Sequence, residues 1–66
     1  MIIELDPESK EPPYAQLKLA ISRLVATGEL APGTQLPTIR QLAGDLDVAP
    51  NTVARAYREL ESDGFL

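Results

Sequence analysis

The sequence predicts a small, mainly α domain of three short helices. Three observations carry that prediction. Pro13 and Pro50 each stand where a run of apolar residues spaced three and four apart begins. Thr38, with Gln41 three residues on, opens a third such run. Between the runs lie residues suited to chain breaks, Gly28 and Asp47, and Gly64 follows the last.

Size and composition narrow the class. The 66 residues make one domain at most. A chain of that length buries only about 60% of the surface that its unfolded form exposes, so marginal stability is expected. There is no cysteine and no histidine. Thiolate staples are therefore excluded, and the commonest metal ligand and general base is missing. No Gly-rich phosphate loop is present and the carboxylates are scattered, so neither an enzyme nor a cofactor or metal site is expected. No apolar run approaches the roughly 20 residues that span a bilayer. The opening MIIELDPESK has no basic region before its apolar residues, so it does not read as a secretory signal. A soluble cytoplasmic protein is the expectation.

Residues 1–11 read as a short strand and an acidic connector. MIIEL is β-prone, with Ile3 and Leu5 on one face, and DPESKEPP is polar and Pro-rich. Such a strand needs a partner to be stable. The domain proper is expected over 12–66. Its first helix spans about 13–27, with Tyr14, Leu17, Ile21, Leu24 and Val25 in one stripe and Leu19 pointing away. GELAPGTQLP is turn chemistry centred on Pro32-Gly33. The second helix, about 39–46, presents Ile39, Leu42, Ala43 and Leu46. Asp47 stands where the next turn needs a left-handed backbone. The third helix, about 50–63, packs with Val53, Ala56, Tyr57 and Leu60. Asn51, Arg55 and Arg58 fall on its other side, within about a third of the circumference.

Charge looks unfavourable for nucleic acid and its distribution corrects that impression. The net charge is −4. Residues 1–11 hold four acids and one base, a net of −3, while 12–66 hold six acids and five bases, a net of −1. Arg40, Arg55 and Arg58 are half of the basic set, Arg40 in the second helix and Arg55 and Arg58 in the third. A short helix, a turn of about three residues and a longer helix with polar residues at its start make a helix-turn-helix. In that motif the second helix brings its leading residues into the major groove. Asn pairs with adenine at N6 and N7, Arg with guanine at O6 and N7, and Thr meets a thymine methyl or a phosphate. A solvated polar helix face would show the same spacing, and spacing alone leaves both readings open.

The ordered motifs decide between them. Leu36-Pro37-Thr38, Arg40, Leu42-Ala43, Val48, Thr52-Val53, Leu60-Glu61 and Gly64-Phe65 resemble, in order, the N-terminal winged helix-turn-helix of the GntR family of bacterial transcription regulators. PPYAQLKLAISRLVATGELAPGTQL is similar to that family's first helix and loop, so the likeness covers nearly all of 12–66. PNTVARAYRELE and the leading MIIELD look most like the YtrA-like branch, and less like the MocR-like branch with its pyridoxal phosphate domain.

The resemblance implies sequence-specific binding of a double-stranded, palindromic operator by a repressor-type regulator. It implies Thr38, Arg40, Asn51, Thr52, Arg55 and Arg58 at the DNA. Positions matching Pro50 and Ala54 are often DNA-contacting arginines in the family. Base reading here therefore falls to Asn51, Thr52 and Arg55, with Arg40 and Arg58 on phosphates. Tyr57 is assigned to core packing. The family's wing would start at Phe65, and its dimerising and effector-binding segments lie outside these residues. That pattern implies a piece of a longer, dimeric protein controlling a transport-related operon. The rival is a winged-helix module for protein contacts, to which the acidic balance would be natural.

Overall fold

Each helix begins at a residue whose backbone suits a start. The computed structural model describes residues 3–31 and 33–66. It contains α1 (Pro13–Ala26), α2 (Ile39–Leu46) and α3 (Pro50–Ser62). Pro13 and Pro50 occupy first helical positions, after extended Pro12 and Ala49. A missing N–H costs nothing there. Thr38 caps α2 by accepting from the Gln41 N–H at 3.1 Å. Among the described residues only that half of the reciprocal capping pair forms.

The ends follow from the same local chemistry. Gly28 (φ 81°) and Gly64 (φ 84°) follow the caps Thr27 and Asp63. The α2–α3 turn is tight because Asp47 takes the left-handed conformation, φ 57° and ψ 49°. The Asp47 N–H then reaches the Gly44 carbonyl and the Val48 N–H reaches the Ala43 carbonyl, at 3.4 and 3.0 Å. That double closure satisfies carbonyls which a helix end otherwise leaves free.

Both α1 and α2 pack on α3. The core is Leu17 and Ile21 from α1, Leu42 and Ala43 from α2, and Val53, Ala56 and Leu60 from α3. Leu30 joins them from the loop after α1, where the sequence reading had placed only turn chemistry. Leu19 is exposed, as its spacing predicted, and Ile39 is more exposed than its place on the α2 stripe implied.

The expected N-terminal strand is corrected. Among the described residues there is no strand, and Ile3–Leu5 form no regular element. Met1 and Ile2, the rest of that prediction, lie outside the described residues, as does Pro32 of the predicted turn. Ile3 and Leu5 do both rest against the core. The Gln16 side chain explains how the segment docks without a sheet. Its Oε1 accepts from the Asp6 N–H at 2.7 Å, and its Nε2 donates to the Asp6 and Glu11 carbonyls at 3.0 and 2.9 Å. One side-chain amide thus engages both backbone groups of Asp6, as a neighbouring strand would.

Candidate nucleic-acid interface

The exposed side of α3 is set by what its other sides touch. Val53, Ala56 and Leu60 are fully buried, which turns Asn51, Arg55 and Arg58 to the opposite face at about 100° per residue. All three are exposed. Thr52, one step round the helix, is half-buried. No side chain caps the first turn of α3; Pro50 carries no N–H there, and the Thr52 N–H donates to the Ala49 carbonyl at 3.0 Å.

The two flanks of that face belong to the other helices. On one, the Tyr57 hydroxyl donates to the Pro37 carbonyl at 2.8 Å. This ties the middle of α3 to the segment just before α2, the helix that Thr38 caps and that carries Arg40. Both are exposed. The Thr38 oxygen accepts from Gln41, while its O–H remains a donor. Burial pushes the Tyr57 hydroxyl pKa above its ordinary value. Tyr57 was assigned to the core from its spacing; it is half-buried and also carries this bond.

On the other flank lies the start of α1. The Arg55 guanidinium stacks on the Tyr14 ring, its carbon 3.6 Å from the ring centroid. Its Nε–H donates to Glu59 Oε2 at 3.0 Å. Glu59 Oε1 accepts from Lys18 Nζ at 3.2 Å, and Lys18 also meets Asp63 Oδ2 at 2.7 Å. The bond from Arg55, and then that from Lys18, hold the Glu59 carboxyl below the usual glutamate range. Asp63 first, and Glu59 second, push the Lys18 ammonium above its own.

Sequence reasoning placed Arg55 on the open face but did not foresee its partners. The Arg55–Glu59 spacing of four was the one available signal. Tyr14 and Lys18 lie some forty residues away in the chain and gave none. Arg40 and Arg58 have no ion-pair partner among the described residues. The face therefore combines one arginine held at two points with two that are not. Among the described residues, no helix is long and apolar enough to cross a membrane.

Comparison with known proteins agrees with this architecture. The pattern of the bacterial regulatory proteins of the gntR family matches residues 13–66. The HTH-type transcriptional regulator Rv1152 of Mycobacterium tuberculosis is 53% identical over 60 residues, 91% of this chain and 50% of that protein. The HTH-type transcriptional repressor YtrA of Bacillus subtilis is 40% identical over 98% of this chain and 50% of its own length. A solved structure, YtrA from Sulfolobus acidocaldarius, a GntR-family transcription factor, superposes with a TM-score of 0.91 at 48% identity. That match covers 97% of this chain and 68% of the other. The chain thus spans about half the length of the curated relatives it matches. These relatives are transcription regulators rather than enzymes, and their shared region is the three-helix unit described above. The chain belongs to the GntR family of bacterial regulatory proteins, and its three helices form that family's DNA-binding helix-turn-helix domain.

Proposed function

We propose that the domain reads an operator half-site with α3 in the major groove. The observation that carries this is the open leading face of α3, with Asn51 and Arg55 on it and the starts of α1 and α2 on either flank. Asn51, Thr52 and Arg55 address base edges, with the side-chain chemistry that pairs Asn with adenine and Arg with guanine. Thr38, Arg40 and Arg58 hold phosphates, for which a flexible cation or a hydroxyl at a helix start is sufficient. The parent protein is a cytoplasmic homodimer on a palindromic operator, joined through segments beyond this domain. Its small-molecule effector acts there too. Repression of a transport-related operon is the reading that the likeness to the YtrA branch adds.

Fluorescence anisotropy against a pool of short duplexes at two salt concentrations tests this. The expected result is weak, strongly salt-dependent binding by the 66 residues, with one half-site enriched at the higher salt. Linking two such modules raises avidity by a factor of about 100 to 10,000, so tight binding belongs to the dimer. Nanomolar binding by the isolated domain at physiological salt would contradict the dimer reading. Absence of binding at both salts would contradict the DNA reading itself.

A further inference from the structure

The α1–α3 seam is laddered. Tyr14 and Lys18 stand four apart on α1, and Arg55, Glu59 and Asp63 stand at four-residue steps on α3. The rows interlock so that Tyr14 lies against Arg55, while Lys18 bridges Glu59 and Asp63. Arg55 is thereby held twice, by one face of its guanidinium on a ring and by its Nε–H on a carboxylate. Neither contact uses the two terminal Nη groups. Those are the ends that an arginine directs at paired acceptors.

We propose that Tyr14 and Glu59 are positioning residues for base reading: they hold Arg55 so that its free Nη pair faces the groove. This rests on the reading of α3 as the recognition helix and deepens it. An arginine has many rotamers, and ordering such a side chain on binding weakens association. An arginine ordered beforehand avoids that cost. It also keeps the fixed direction that base discrimination needs, whereas phosphate contacts by Arg40 and Arg58 do not depend on it. Lys18 acts one step further back, holding the second oxygen of Glu59.

The test measures the affinity of Tyr14→Leu, Tyr14→Phe and Glu59→Gln variants for the preferred half-site and for a random duplex, at two salts, beside their thermal melts. The Tyr14→Leu variant should lose about three- to tenfold in the ratio of specific to random affinity, the scale of freeing one long side chain. Its affinity for random DNA and its salt dependence should stay unchanged, since no charge is altered. The Tyr14→Phe variant keeps the ring and should behave as the parent. The Glu59→Gln variant should bind all DNA more tightly, having lost a negative charge beside the phosphates, yet discriminate less. A Tyr14→Leu variant that keeps the parent ratio overturns the proposal. So does one that loses specific and random binding equally, in step with its melting temperature. If the parent chain itself shows no preferred half-site, the recognition-helix reading fails and this inference fails with it. If the parent discriminates and Tyr14→Leu discriminates as well, only this inference fails.

Discussion

Replacing Tyr57 with Phe removes one oxygen atom and isolates the contact that ties α3 to the start of α2. In the native fold that hydroxyl donates to the Pro37 carbonyl at 2.8 Å, and both residues are half-buried. The ring remains, so no cavity larger than the hydroxyl opens. A neutral hydrogen bond contributes about 0.5–1.5 kcal/mol net, and an abandoned acceptor costs more the less water reaches it. Partial burial puts the expected loss near the middle, about 1 kcal/mol. For a domain of this size that lowers the melting temperature by roughly 4–8 °C. Thermal and urea denaturation followed by far-ultraviolet circular dichroism measure it, and the urea slope should not change, because the same surface is exposed on unfolding. An alkaline arm checks the same group. Burial raises the folded hydroxyl pKa above its ordinary value of 10.0. The unfolded chain therefore deprotonates first, and stability is fully present below that pH and lost as pH rises through the folded value. The Phe variant should lose that part of the alkaline dependence and keep only the part due to Lys18, whose ammonium is also raised. A stability change within the roughly ±0.5 kcal/mol scatter of ordinary surface substitutions would refute the reasoning.

Three further outcomes follow from the same geometry. Replacing Arg55 with Ala should cost about 1–3 kcal/mol on the preferred half-site and relax its sequence preference; equal loss on random DNA in an anisotropy titration would make Arg55 a phosphate contact. The depressed Glu59 carboxyl contributes stability that is present above the ordinary glutamate range and lost as pH falls through its lower folded value. A Glu59→Gln variant should flatten that acid dependence in pH-resolved melts, and high salt should flatten it in the parent. Replacing Gln16 with Ala should release the leading segment, so that hydrogen exchange at the Asp6 amide accelerates while amides in α3 keep their protection; unchanged exchange at Asp6 would show that Ile3 and Leu5 hold the segment alone.

Helix starts and stops were legible in the sequence because they are local. A proline at a first turn, Thr38 three residues before Gln41, and Asp47 in a left-handed turn each act within one turn of chain. The limits differ by a residue, since Thr27 and Asp63 serve as caps rather than helical residues. The buried stripe of α3 was legible for a similar reason, as spacing alone assigns residues to opposite faces of a helix. Leu30 was not, because a loop has no periodicity to mark the residue that turns inward.

The tertiary structure decided the rest. Ile3 and Leu5 of the leading β-prone run rest on the core and Gln16 clamps Asp6 just after them, so the pattern yields a docked segment with no sheet among its described residues. Spacing alone gave Arg40 in α2 and Arg55 and Arg58 in α3 no partner across the helices. They differ in the fold because only Arg55 lies where α1 crosses, over Tyr14 and beside Glu59. Which side chains meet across two helices depends on their crossing angle and axial offset, and those are set by the whole core at once. Local spacing therefore determined which face of α3 is open, and only the crossing of α1 over α3 decided which arginine on that face is held still.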